Sequence, residues 1–407
     1  MNSRDLADDI FSRIEEAREF LRPVVHRTPL ITSRTLSELS GREVHLKMEN
    51  LQKTGSFKVR GAYYKMRRMG SPRGVVAASS GNHAQGVAYS AGLLGIKAVI
   101  VMPKYTPFFK VNATKGYGAR VILHGETYDD AYIKAKEISE SEGIPFIHPF
   151  DDPDVIAGQG TVGMEVQEDL GDADSVIVPV GGGGLISGIA IAMKSLNPNV
   201  RIIGVQPSGA PSAFLSYERG TPVETQQAYS IADGVVVKRP GDLTLRIMRD
   251  FVDEIVLVDD REIARAIFLL LERVKTVVEG AGALPVAALI SGKLKLRGRR
   301  VVCVLSGGNI DPSMLIRITN RVLALEGRQV KVTGTLPDRS GQLKRVIDVV
   351  AELGFNIVEV EHERLNPLVH PGMVQVTLVL EVPERGAADL LISKLRRMGL
   401  EFSQAMS

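Results

Sequence analysis

Four short segments hold residue types that could do chemistry. The first is Gly181, Gly182, Gly183 and Gly184 in VIVPVGGGGLISGIAIAMKSL, a strand-like run leading through four glycines into a helix-like run. Successive glycines let backbone N–H groups converge on an anion, and a helix start adds its dipole, so the turn reads as a phosphate cradle. A nucleoside triphosphate loop would close on Gly-Lys-Ser/Thr, whereas these glycines run into Leu185, Ile186 and Ser187. A nicotinamide dinucleotide turn wants an acidic residue at the end of the next strand, and RIIGVQ ends in Gln206.

The second segment, Ser79, Ser80, Gly81, Asn82 and His83, lies between the run VVAA and a helix with Gln85 near its start. Its hydroxyl and N–H donors can surround a carboxylate, which implies a carboxylate-bearing substrate. An ordinary helix cap explains any one of these residues, but not their density. His83 has no Ser-His-Asp or metal-ligand pattern around it. The third segment, VVCVLSGGNID, sets Ser306 and two glycines at a strand's carboxyl end, a place for a ligand contact. The fourth is TGSFKVRGA. Helix starts disfavour cations, so a lysine there is ordinarily solvated. Lys58, however, stands among small residues beside Phe57. A lysine taken out of water has a lowered pKa and offers a free amine for imine chemistry. Together with a phosphate cradle and a carboxylate nest, that lysine points to pyridoxal phosphate.

The elements that must position these segments read as an α/β body. From about Val44 to Leu325, EVHLKM, GVVAAS, KAVIVM, ARVILH, SVIVPV, RIIGVQ, EIVLVD and RRVVCVLS are strand-like, and most precede a helix-length segment, as a largely parallel sheet requires. Four of these runs precede Gly125 and the others follow Asp174, which predicts two lobes with a cleft between them. After about Gly327 the pattern becomes βαββαβ, a small ferredoxin-like unit. The length of 407 residues suits two to three domains. A formal charge of +3, with basic residues scattered, argues against a nucleic acid polymer as partner. No apolar run is long enough to span a membrane. The single cysteine, Cys303, excludes an internal disulfide and suits a reducing cytoplasm. The N-terminal segment, with Leu6, Ile10, Ile14 and Leu21 on one helical face, lacks the features of a signal peptide.

In this order, TGSFKVRGA, SSGNHAQG, GGGGL, IADG and SGGN resemble the fold-type II pyridoxal-phosphate enzymes, and among them the threonine dehydratases, or threonine ammonia-lyases. The likeness covers about residues 20 to 325 and includes HRTPL, HPFDDPDVIAGQGTVG and VVEGAGA. It implies a two-lobed fold like that of the tryptophan synthase β chain, with a catalytic domain over 1–326 and a small lobe at roughly 45–150 inserted in the large one. It also implies that Lys58 forms the imine with the cofactor, with Phe57 near the ring and Gly181 to Gly184 with Leu185 on the phosphate. Asn82 would bond the ring hydroxyl, Ser79, Ser80, Gly81, Asn82 and His83 would receive the substrate, and Ser306 would face the ring nitrogen. A neutral hydroxyl does not hold that nitrogen protonated as an aspartate would, so prompt loss of a β-substituent is the natural course. The implied reaction turns L-threonine into 2-oxobutanoate and ammonia, with L-serine as a side substrate and Lys58 taking the Cα proton.

Ser80 departs from the family pattern. That position is alanine in many threonine dehydratases and serine in serine racemases, where it is the base on the opposite face, so Ser80 joins Lys58 as a catalytic candidate and a serine racemase or serine-preferring lyase stands as the alternative. Serine racemases also bind a divalent ion through acidic residues where this chain has Gln206 and Ser212. The metal question stays open, a monovalent cation held by carbonyls included. A non-catalytic amino-acid sensor is the reading from a different class. The segment 327–407 resembles an ACT regulatory domain, with Asp338, Arg339, Ser340 and Gly341 on its first strand-to-helix turn. That likeness implies a homodimer or homotetramer and an amino-acid or nucleotide effector; a domain used only for subunit contacts is the alternative. Service in isoleucine biosynthesis or in threonine breakdown stays open.

Overall fold

A computed structural model describes residues 3–70 and 72–405. All eight strand-like runs of the body form strands, and they sort into two sheets. A six-stranded sheet runs in the order Leu30–Thr32, Glu43–Lys47, Arg300–Val304, Ser175–Pro179, Arg201–Pro207 and Glu254–Val258, parallel except for its antiparallel first edge. Gly74–Ala78, Lys97–Met102 and Arg120–Leu123 make a three-stranded parallel sheet. The two groups therefore do not follow chain order as expected. Glu43–Lys47 joins the larger sheet, with Val44 paired to Val301, so a small lobe starting at 45 would cut a buried strand. The lobe begins after it, near the helix Lys58–Arg68, whose Ala62 and Met66 lie in the core of the small sheet. The edge strand Leu30–Thr32 gave no signal: it is three residues long and none of them is fully buried.

Helices reach the site through close backbone contacts. Lys58–Arg68 crosses Pro153–Asp169 where Gly158 meets Gly61, and a Cβ on Gly158 would lie 2.6 Å from the Gly61 Cα. Asp152 caps Pro153–Asp169 by accepting from the N–H groups of Asp154 and Val155, with Pro153 preset at the first position. The N-terminal helix Ser3–Leu21 buries Ile10, Ile14, Ala17 and Leu21 against this layer.

A buried ion network locks the same helices. Arg60 donates to Glu49 at 2.9 and 2.7 Å and to Glu165 at 2.7 and 3.0 Å, while the Lys47 ammonium sits 2.6 Å from Glu165. Burial pushes the Glu49 carboxyl up, but the charge and hydrogen bonds of Arg60 outweigh it and hold the group below its ordinary range. Such a set holds only while complete, because removing one member leaves a buried charge unpaired.

The chain divides into compact units at Met1–Ile310 and Asp311–Ser407, so the boundary falls before the expected 326/327. The reason is the helix Pro312–Leu325, which packs on the strand Gln329–Pro337 and whose last carbonyl, on Leu325, accepts from Arg385. Within this second unit the sheet order is Asn356–Glu363, Met373–Glu381, Gln329–Pro337 and Phe402–Gln404, antiparallel throughout. Helices Gln342–Glu352 and Ala387–Arg397 share one core with it, completing the βαββαβ order.

Candidate active site

The segments read from the sequence converge on the carboxyl ends of the parallel strands. Ser56 and Gly307 form an antiparallel bridge, the Phe57 N–H donates to the Ser306 carbonyl at 3.1 Å, and the Gly308 N–H donates to the Gly55 carbonyl at 2.9 Å. The turn before Lys58 is thus zipped to the turn holding Ser306, which is 2% exposed. The hydroxyls of Thr54 and Ser56 are buried there without a hydrogen-bond partner among the described residues.

Lys58 opens its helix with the amine 5.2 Å from the centre of the Phe57 ring and donates to the Pro149 carbonyl at 2.9 Å. Loss of water around the amine pulls it down to about 8, with Glu279 pulling the other way. Next to Pro149, Phe150 lies against the glycine turn: a Cβ on Gly182 would meet its ring at 2.3 Å, and one on Gly184 would lie 3.0 Å from its Cα, Cβ and carbonyl oxygen. Gly183 has φ +97 and faces Thr244, whose hydroxyl donates to the Gly182 carbonyl at 2.6 Å. No side chain fits this turn. Its N–H groups lie at the start of the helix Gly184–Leu196, where the first turn has no intrahelical acceptors, and Leu185 follows in that turn.

The turn 79–83 meets Lys58 through Gly86, where a Cβ would lie 3.0 Å from the Lys58 carbonyl carbon. The Gly81 N–H donates to the Ser79 hydroxyl at 3.2 Å, and Ser79, Ser80 and Gly81 stay partly accessible. Asn82 is fixed from both sides: its Nδ2 donates to Glu279 at 2.7 Å, and its Oδ1 accepts from Asn309 at 2.8 Å. His83 differs from the rest of the expected set. It is 4% exposed, its Nε2–H donates to the Ile147 carbonyl at 3.0 Å, and burial followed by the nearby Lys58 drives it down to about 3. His83 is a neutral structural bond and not a substrate donor.

Two groups lie in motifs of the family likeness but had no role assigned from the sequence. Glu279 is 4% exposed and touches Asn82; burial, then Asp233, raises it to about 7. Its signal was an acid just before a Gly-Ala-Gly helix start, which reads equally well as a plain cap. The segment 148–151 opens the motif HPFDDPDVIAGQGTVG, but nothing in it names a chemical role. Its role is visible only because Pro149 and Phe150 touch Lys58 and the glycine turn.

Gln206 and Ser212 are used by the fold: Gln206 accepts from the Phe214 N–H at 2.9 Å and Ser212 donates to the Val237 carbonyl at 2.6 Å. Among the described residues no group of three or more His, Cys, Asp and Glu could hold a metal ion. In the second unit, Asp338, Arg339, Ser340 and Gly341 line a cavity of about 270 Å³ with His362 and Arg364. Arg364 donates to Asp338 at 2.9 and 3.2 Å and holds its carboxyl below the usual range.

A family model described as "Pyridoxal-phosphate dependent enzyme" matches residues 21–307. An L-threonine ammonia-lyase of Thermotoga maritima is 52% identical over 391 residues, covering 95% of this chain and 97% of that protein. Among solved structures, the processed form of threonine deaminase isoform 2 from Solanum lycopersicum superposes with a TM-score of 0.74 at 38% identity, covering 79% of this chain and 89% of that one. A maize serine racemase gives a TM-score of 0.72 at 37% identity, covering 77% and 98%.

Proposed function

The chain belongs to the pyridoxal-phosphate dependent enzymes, and on that premise we propose that it is a threonine ammonia-lyase. It eliminates the β-hydroxyl of L-threonine and releases 2-oxobutanoate and ammonia, with L-serine as a lesser substrate. The observation that carries this reading is the likeness to an L-threonine ammonia-lyase along nearly the whole chain.

When bound, pyridoxal phosphate supplies an aldehyde that condenses with amines and a ring that withdraws electrons from the substrate Cα. The residues present fit that group. The N–H groups of Gly181 to Leu185 suit a phosphate dianion, the Lys58 amine is short of water, and the donors of Ser306 and Asn82 are neutral.

Each residue then has defined work. Lys58 Nζ receives the Cα proton, a task suited to an amine titrating near the working pH. Asn82 would hold the ring hydroxyl through its amide, and Phe57 would lie beside the ring. Ser306 would offer a neutral hydroxyl to the ring nitrogen without protonating it, which would favour prompt loss of the β-hydroxyl. Ser79, Ser80 and Gly81 supply donors to the substrate carboxylate. Ser80 also supports a second reading, since a hydroxyl in that turn is able to carry a proton on the opposite face, so D-serine is worth assaying.

Regulation belongs to the proposal as well. The second unit acts as an ACT domain in which Asp338, Arg339, Ser340 and Gly341 receive an amino-acid or nucleotide effector, in a cytoplasmic homodimer or homotetramer. The βαββαβ order and the polar cavity at that turn support this. The direct test of activity is incubation of the pure protein with pyridoxal phosphate and L-threonine. The expected product is 2-oxobutanoate; its absence contradicts the proposal, and D-serine formed from L-serine at a comparable rate favours the second reading.

A further inference from the structure

One device near Lys58 is not used by the chemistry above. His148 accepts with Nδ1 from the N–H groups of Asp151 at 2.8 Å and Phe150 at 3.3 Å, so its ring is the neutral tautomer with the proton on Nε2. Its ring also packs edge-on against Phe150, with centroids 4.8 Å apart at 87°. These contacts fold residues 148–151 into a tight turn. At its centre the Pro149 carbonyl accepts from Lys58 Nζ at 2.9 Å. The far end of the turn is anchored too, since the Asp151 carboxylate accepts from the N–H groups of Asp242 and Thr244, both at 3.1 Å.

We propose that His148 is a positioning residue: by fixing the 148–151 turn it sets the Pro149 carbonyl as the berth of the Lys58 amine whenever that amine is free. The inference rests on the reading of Lys58 as the proton-moving group. A free amine on four methylenes has many rotamers, and one donated hydrogen bond narrows them and limits the directions in which the nitrogen lone pair points. In the proton step the substrate Cα–H bond breaks, its electron pair stays with the substrate, and a new N–H bond forms on Lys58. The resulting ammonium donates more strongly to the same carbonyl, because a charged donor makes the stronger hydrogen bond. The berth therefore both aims the base and stabilises its protonated form.

Two variants test this. His148→Leu removes the acceptor, whereas His148→Asn places Oδ1 where Nδ1 stood. In the full chain stripped of cofactor, labelling of Lys58 by limiting reductive methylation, read by peptide mass, rises in His148→Leu by about two- to tenfold, the loss of one ordinary hydrogen bond. His148→Asn brings it back toward the native rate. In the loaded enzyme His148→Leu lowers kcat by about ten- to a hundredfold with KM little changed, the scale of a misplaced base, and enlarges the primary isotope effect with α-deuterated threonine. Equal Lys58 labelling in the native chain and His148→Leu, or equal behaviour of the Leu and Asn variants, overturns the proposal. Should His148→Leu not fold, His148→Gln moves the acceptor one bond outward and is held to the same outcomes. Because the labelling needs no turnover, a chain inactive on threonine contradicts the functional reading while leaving the berth to be decided separately.

Discussion

Lys58 shows how a residue disfavoured by its local position becomes useful. A cation at a helix start opposes the dipole, and loss of water lowers the amine further, to about 8. Both effects favour the neutral amine, the form that attacks an aldehyde or takes a proton. The rate at which the cofactor-free protein captures pyridoxal phosphate, followed by absorbance, should rise with pH to a midpoint near 8 and not near 10.5. Glu279 gives a second test. Its carboxyl is raised from 4.5 to about 7 by burial and by Asp233, so the folded state binds its proton more tightly than the unfolded state does. The stability it contributes is complete below pH 4.5 and is lost as pH rises to about 7. In the cofactor-free protein, Glu279→Gln should flatten the fall of Tm across that window.

At the scale of elements, the sequence carried the strands well and their partners poorly. Runs such as VVAA and VIVPV announce buried strands because all their residues are apolar, and each forms one. Nothing in EVHLK says that it pairs with RVVCV, more than 250 residues away, because partner choice depends on how the whole sheet closes. The same limit applies to the site. Lys58, Asn82, Ser306 and the glycine turn stood out as candidates only when read as a set and beside the family likeness, whereas Pro149 acts through a carbonyl that every residue has. His83 was misread because a donor in a polar turn looks alike whether it faces a ligand or the Ile147 carbonyl. The glycine turn yields a prediction of its own. Gly182→Ala would force a methyl against Phe150, so it should cost about 1–3 kcal/mol of stability in thermal melts, the usual penalty of overpacking. It should also weaken pyridoxal phosphate binding in a fluorescence titration, because the Phe150 contact shapes the turn.

For the whole molecule, the two compact units each have their own core, and the division lies before the helix Pro312–Leu325. A cut after residue 326 would strand that helix from the strand it packs on, whereas a cut after Ile310 keeps each core intact. A chain ending at Ile310 should therefore fold, bind pyridoxal phosphate and turn over threonine, which absorbance and a 2-oxobutanoate assay would check. If the second unit is the sensor, the shortened chain should lose any response to isoleucine, valine or AMP that the full chain shows.

The most direct measurement concerns Lys58. The loaded protein is reduced with borohydride, digested and mapped by mass spectrometry, with Lys58→Ala as the control. The account predicts a pyridoxyl group on the peptide that contains Lys58, and loss of the label, the visible absorbance and threonine turnover together in Lys58→Ala. A label on another lysine, or full turnover in Lys58→Ala, would contradict it.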